Sequence, residues 1–346
     1  MSDKIRVLVV DDSLVAREMI ITILSSDKDI EIVGQAKNGI EAVEMTERLR
    51  PDLITMDIHM PHMNGLEAIG QIMAYFPTPI LVVTASVIKE DMDLTFESLR
   101  AGALDVVEKP APENWMGISS IGKDLIKRVK LLSQIEVITH LKGRKRPSTL
   151  PPKITKEGVK FKVIGMAAST GGPSALLEIL SSLPEDFPGC ITIVQHIADG
   201  FTQGLVEWLD RESKIRVKEA KEGDRLDPGT ALIAPNRFHM LVSEEGRIEL
   251  NKKPPVFGHR PSADVLLPSV ASVFRDRSIG VILTGMGKDG AEGLKAIKEK
   301  GGVTISQSEE TCVVFGMPKA AIDLKVVDRI LPIDRISQEI TKECLS

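Results

Sequence analysis

Apolar and polar positions alternate between two regimes along this chain. Short, wholly apolar runs have the look of strands buried on both faces, and longer stretches space their apolar residues as helices do. In the first half, Ile5 to Val10, Ile30 to Ala36, Asp52 to Met56, Ile80 to Val83 and the pair Val106–Val107 read as strands. Leu14 to Leu24, Gly39 to Leu49, Leu66 to Tyr75 and a segment ending before Gly102 read as the helices between them. Five β-α units with short connections predict a doubly wound parallel sheet.

The second half opens on FKVIGMAASTGGPSALLEIL, residues 161–180, a strand, a sharp turn and a helix. Further strands are expected at Cys190 to Gln195, Ile279 to Leu283 and Val303 to Ser306. Helices are expected at Phe201 to Leu209, Val265 to Phe274, 291 to about 300, Ala320 to Leu324 and Ile333 to Cys344. Between Ile215 and Leu250, the turn sequences EGDRLDPG, APN and SEEG separate short apolar runs. That spacing predicts antiparallel hairpins attached to the main sheet. A helix from about Ser119 to Leu141 and the basic, proline-rich KGRKRPSTLPPKITKEG separate the halves, and such a composition predicts a semi-rigid linker. The domain organisation expected is 1–125, a helix and linker over 126–158, and a second α/β domain over 159–346.

Composition narrows the class. The chain has 346 residues, is 42% hydrophobic and carries a net charge of −5. That length allows two or three domains with real cores, and the charge argues against a general nucleic-acid or membrane-surface binder. Cys190, Cys312 and Cys344 are too few and too scattered for a disulfide framework or a zinc site, which predicts a reducing cytosol. No stretch reads as a signal peptide or a bilayer span.

Candidate chemistry lies where strands end. In the first half, Asp11 and Asp12, Asp57, Thr84 and Lys109 terminate four of the five strands, and ligands of such sheets bind at those ends. Converging carboxylates call for a hard divalent cation, and Mg²⁺ suits oxygen ligands. The set resembles a response-regulator receiver domain over about residues 3 to 125. The resemblance implies that Asp57 is phosphorylated. It further implies that Asp12, Asp57 and the His59 carbonyl bind Mg²⁺ with help from Asp11, and that Thr84 and Lys109 contact the phosphoryl group. Receivers often carry an aromatic residue three positions before the lysine; here it is Val106, so an aromatic rotamer switch is not available.

In the second half, Ser169 stands at a strand-to-helix turn, where helix N–H groups can hold a developing oxyanion. The turn differs from G-x-S-x-G by Ala167 and from a phosphate-binding loop by having no lysine after its glycines. Close packing and a phosphate cradle are the competing readings. His196 and Asp289 follow other strands of the same sheet, so the three can meet as a Ser-His-Asp relay. His239 and His259 are rival bases, Asp264 a rival acid, and Cys312 a rival nucleophile disfavoured by its apolar neighbours. A receiver joined to a phosphate-ligand domain, or to a DNA-binding output, are the alternatives from other classes.

The phrases ASTGGP, VQH, HRPSAD, VILTGMGKDG and CVVFGMP resemble the catalytic domain of the chemotaxis protein-glutamate methylesterases. With the receiver, that likeness spans nearly the whole chain. It implies Ser169, His196 and Asp289 as the triad and the backbone N–H groups of Thr170 and Met286 as oxyanion donors. The implied partners are methylated cytoplasmic helices of chemoreceptors and a phosphodonor histidine kinase. The family also suggests deamidation of receptor glutamines. One chain joining a phosphorylatable domain to an esterase leads us to expect that the unphosphorylated receiver packs over the active-site edge and that phosphorylation weakens that packing.

Overall fold

The structure is a computed structural model in which residues 4–85, 89–110, 120–137 and 161–346 are described. The linker expected at 142–158 and the end of the helix expected to reach Leu141 lie outside those residues. The chain divides into two units, residues 1–145 and 146–346.

In the first unit the order is β1 (Ile5–Val10), α1 (Leu14–Ser25), β2 (Ile30–Ala36), α2 (Gly39–Leu49), β3 (Leu53–Met56), α3 (Gly65–Tyr75), β4 (Ile80–Thr84), α4 (Lys89–Ala101), β5 (Asp105–Glu108) and α5 (Ser120–Leu132). The strands form one parallel sheet in the order β2-β1-β3-β4-β5. β3 and β4 are buried at every position, because helices cover both faces. Asparagine begins two of those helices: Asn38 accepts from Glu41 N, and Asn64 forms a capping box with Glu67. The fifth helix stops at Leu132, short of Leu141. It is tied to the sheet by Arg128, whose guanidinium pairs with buried Asp105 and with Asp124. The strand order reverses at β1, so a crevice opens between the carboxyl ends of β1 and β3.

The second unit runs β6 (Val163–Ala168), α6 (Gly172–Leu180), β7 (Cys190–Gln195), α7 (Thr202–Glu212), β8 (Arg216–Glu219), β9 (Thr230–Ile233), β10 (His239–Val242) and β11 (Ile248–Asn251). It continues α8 (Ala263–Phe274), β12 (Ser278–Ile282), α9 (Ala291–Glu299), β13 (Val303–Gln307), α10 (Met317–Asp323), β14 (Arg329–Leu331) and α11 (Ile333–Leu345). Seven strands make a parallel sheet, β14-β13-β12-β6-β7-β9-β8. The core includes Ala167, Val194, Leu266, Leu267 and Ile282, with α8 lying against β6, β10 and α9.

The region 215–250 corrects one expectation. β8 and β9 join the sheet in parallel, and the antiparallel strands β10 and β11 form a separate two-stranded sheet. The loop 220–229 is long enough to carry the chain back to its starting end without a helix. Asp224 holds it, accepting from Lys221 N at 2.8 Å, and Gly223 and Gly229 turn it at positive φ. The sheet reverses order at β6, which places the functional crevice between the carboxyl ends of β6 and β12.

Candidate functional site

Ser169 follows β6 directly and is only 5% exposed. Its N–H donates to Thr284 O at 3.1 Å, and its carbonyl accepts from Gly172 N at 2.7 Å and from Gln195 Nε2 at 2.9 Å. The glycines here are dictated by close approach. Gly171 has φ +75°, and a Cβ at Gly172 would lie 2.0 Å from Gln195 Oε1. Across the crevice, a Cβ on Gly285 would stand 2.7 Å from the Ser169 Cβ. The loop after β12 therefore presses backbone against the serine. Thr170 is buried in the turn, next in sequence to Ser169, and Met286 is half-buried, next in sequence to Gly285 in that facing loop.

His196 is level with Ser169, because β6 and β7 pair Ala168 with Gln195 and His196 N donates to Ala168 O at 3.0 Å. Its Nε2 lies 2.8 Å from Asp289 Oδ2. Asp289 is 1% exposed and accepts three further hydrogen bonds: Ser262 Oγ at 2.6 Å, Ala263 N at 2.7 Å and Asp264 N at 3.1 Å. Burial pushes this carboxyl up. The hydrogen bond and charge of His196, with the Ser262 and Ala263 donors, outweigh it and bring the group down to about 2. An ionised carboxylate only accepts, so Nε2 carries the proton and Nδ1 is the basic nitrogen. That Nδ1 is buried and has no hydrogen-bond partner among the described residues. Ser169 Oγ is not bonded to the imidazole; such contacts commonly close only around substrate.

The rivals have other places. His259 stacks on the His196 ring, centroids 3.9 Å apart and planes 1° apart. His239 is buried, with Nε2 3.1 Å from Pro254 O. The Cys312 thiol is pushed up to about 12 by burial and by Glu309, which suits an inert group. Asp264 accepts from Gly290 N at 2.9 Å and Gly293 N at 2.8 Å, at the start of α9. Burial, against the Gly293 hydrogen bond and with the Asp289 charge, pushes its carboxyl up to about 6. Asp289 thus caps α8 while Asp264 caps α9. Ser262, Gln195 and Gly285 escaped the reading from sequence. Ser262 lies within HRPSAD, but its bond to Asp289 spans 27 positions and leaves no local signature.

In the first unit, Asp11, Asp12 and Asp57 each place a carboxylate oxygen within 4.8 Å of the others. Lys109 Nζ lies 2.8 Å from Asp11 Oδ2 and 2.8 Å from Asp57 Oδ2. Burial raises the Asp11 and Asp57 carboxyls, with Lys109 opposing. Burial would lower Lys109, but the two carboxylates hold it above its ordinary value. Thr84 Oγ1 is buried at the end of β4 without a hydrogen-bond partner among the described residues. His59 lies in the loop after β3. Oxygen donors crowded against each other and a hydroxyl kept unpaired fit a hard divalent cation and an oxyanion.

Two family models match this chain: CheB methylesterase over residues 164–340 and response regulator receiver domain over 7–116. It is similar to the protein-glutamate methylesterase/protein-glutamine glutaminase of Pyrococcus horikoshii, 41% identical, covering 99% of this chain and 94% of that protein. The Anaeromyxobacter dehalogenans protein-glutamate methylesterase/protein-glutamine glutaminase 2 is 45% identical, over 96% and 95% of the respective chains. The crystal structure of the Thermotoga maritima CheB methylesterase catalytic domain superposes with a TM-score of 0.52 at 40% identity, covering 53% of this chain and 99% of that one. A receiver sheet followed by a parallel sheet bearing Ser169, His196 and Asp289 accords with both matches, and the chain belongs to the CheB family of receiver-linked methylesterases.

Proposed function

We propose that this chain is a protein-glutamate methylesterase regulated by phosphorylation, acting in chemotaxis adaptation. Ser169 Oγ attacks the carbonyl carbon of a glutamyl methyl ester while His196 Nδ1 takes its proton. Asp289 holds the Nε2–H and stabilises the imidazolium. The N–H groups of Thr170 and Met286 hold the oxyanion; one such donor is typically worth about 10²–10³ in rate. The C–O bond breaks, His196 returns the proton to methanol, and a water activated by the same imidazole hydrolyses the acyl-serine to glutamate. Attack on a glutamine side chain follows the same course, with ammonia leaving.

The observation that carries this reading is the buried His196–Asp289 pair, which commits Nε2 and leaves Nδ1 as a buried base at the strand end beside Ser169. In the receiver, 1–125, Asp57 is the phosphorylation site, with Thr84 and Lys109 contacting the phosphoryl group. Asp12, Asp57 and the His59 carbonyl, assisted by Asp11, would hold Mg²⁺, which neutralises charge as the phosphoryl group is transferred. A cytoplasmic histidine kinase is the donor, methylated chemoreceptor helices are the substrate, residues 126–158 are the joint, and 159–346 is the catalytic domain. Among the described residues, no helix is long and apolar enough to cross a membrane.

Methanol release from methylated receptor, with and without a phosphodonor, tests the whole scheme. Ser169→Ala and His196→Ala should each nearly abolish release, with the double variant little worse. Asp57→Asn should remove the response to the phosphodonor, and EDTA should block labelling of Asp57. Near-normal turnover by His196→Ala would overturn the relay.

A further inference from the structure

A turn beside the triad has a composition its own stability does not explain. Val256 and His259 exchange both backbone hydrogen bonds, at 3.0 and 2.9 Å, closing a two-residue turn over Phe257 and Gly258. Both tip residues have positive φ, +49° and +87°. Such turns favour Asn, Asp or Gly at the first tip position, and a bulky residue there is an outlier. Here it is a phenylalanine, with 62% of its surface exposed. Strain kept at an exposed aromatic residue points to use of that residue.

The turn is joined to the catalytic groups on both sides. His259, at its far leg, stacks on the His196 imidazole. Lys288, next to Asp289, sets its Nζ 4.6 Å from the centre of the Phe257 ring. The segment leading to the turn is held rigid: Arg260 Nη1 donates to the carbonyls of Lys252 and Lys253, each at 3.1 Å. Charge here departs from the net balance of the chain. Residues 252–260 hold Lys252, Lys253 and Arg260 and no carboxylate, and Lys288 adds another cation, in a chain whose net charge is −5.

We propose that the 256–259 turn and Lys288 form the substrate docking point, and that the partner is an acidic stretch of polypeptide surrounding the reacting glutamyl ester. Phe257 packs on the aliphatic part of that stretch, and Lys288 meets its flanking carboxylates. This rests on the esterase reading for its location and names the surface that selects the substrate.

The test uses the full chain with Ser169→Ala, so that ligand is bound and not consumed. The probes are two peptides with a central glutamyl methyl ester, one flanked by glutamates and one by glutamines. Phe257→Gly and Lys288→Ala should each weaken binding of the glutamate-flanked peptide about tenfold, a difference of about 1.4 kcal/mol. Lys288→Ala should leave the glutamine-flanked peptide unaffected. Because glycine accepts the positive φ, Phe257→Gly should melt at or above the parent temperature. With Ser169 restored, both variants should react with a fluorophosphonate at the parent rate. Unchanged affinity would overturn the proposal, as would equal loss for both peptides on Lys288→Ala, or no measurable binding by a parent that releases methanol. Parallel loss of fluorophosphonate labelling would mean that the turn supports the triad, and a rise in unphosphorylated turnover that it holds the receiver; either overturns docking. Absence of methanol release from the parent strikes the esterase reading alone, because the affinities are measured without turnover.

Discussion

Asp289→Asn is nearly isosteric, and its effect can be worked from the contacts. The carboxylate accepts from His196, Ser262, Ala263 and Asp264. An amide has one accepting oxygen, so one side of the group must present N–H. If the NH₂ faces His196 and Ala263, it confronts the Ala263 N–H and forces Nε2 to accept. The ring proton then moves to Nδ1, the nitrogen needed as base. If it faces Ser262 and Asp264, the tautomer survives but the Asp264 N–H loses its acceptor. Either way a buried donor is unsatisfied, at about 1–3 kcal/mol of stability. Both orientations also remove the charge facing the imidazolium. At an effective dielectric near 20, a charge pair about 4 Å apart is worth about 4 kcal/mol, or roughly 10³ in rate. The loss should fall on kcat, since Asp289 is buried away from substrate. Methanol release with a melting curve on the same sample is the assay, with Ser262→Ala as the comparison. That variant keeps the charge and should lose about tenfold or less, given one hydrogen bond of about 1 kcal/mol. A folded Asp289→Asn within about tenfold of parent kcat would refute the assignment of Asp289 as the group that orients and charges the base.

Three further outcomes follow from the geometry. Lys109→Met leaves Asp11 and Asp57 facing each other in a buried crevice and should cost about 3–5 kcal/mol by urea unfolding, partly restored by added Mg²⁺. Gly285→Ala drives a methyl to within 2.7 Å of the Ser169 Cβ and 2.4 Å of Met317 Sδ. Overpacking of about 1–3 kcal/mol should appear in the melting curve, and fluorophosphonate labelling should slow by more than that destabilisation accounts for. The Asp264 carboxyl releases its proton near 3.8 when unfolded and at about 6 when folded, so its contribution to stability falls as pH rises through that window. Asp289 has the opposite sign: its contribution grows as pH rises from about 2 to 3.8. Asp264→Asn keeps an acceptor for Gly290 and Gly293, and its urea midpoint should lack the parent's decline between pH 4 and 6.

Most of the sheets was legible because parallel strands covered by helices are apolar at nearly every position, and their polar ends then stand out. Asp11, Asp57, Thr84, Lys109, Ser169 and His196 could be found in that way. β14 was missed because Arg329–Leu331 is three residues long, holds a charge and pairs only along β13. The direction of β8 was misjudged because turn residues such as Asp224 and Gly223 mark a reversal without saying how many times the chain turns. Strand-end logic pointed to Asp289 and left Asp264, in the HRPSAD phrase, as a rival acid. The 2.8 Å approach of Asp289 to His196 Nε2 could not be read there, because it depends on how α8 and α9 abut. Likewise, His259 was visible only as a rival base, and its stacking on the His196 ring appears in the packing alone.

The crossed capping of α8 and α9 ties the chemistry to cooperativity. Each helix has its first N–H groups satisfied by the other's aspartate, so neither can fray without stranding a carboxylate of the pair. Local opening, which elsewhere lets a loop sample many states below the global unfolding energy, is closed to the segment that carries the acid. The amides of Ala263 and Gly290 should therefore be among the slowest to exchange, and the His196–Asp289 contact should persist up to the temperature at which the whole parallel sheet melts. The His196–Asp289 contact is thereby carried as part of the core, and it should be lost with the core and not with the loops around it.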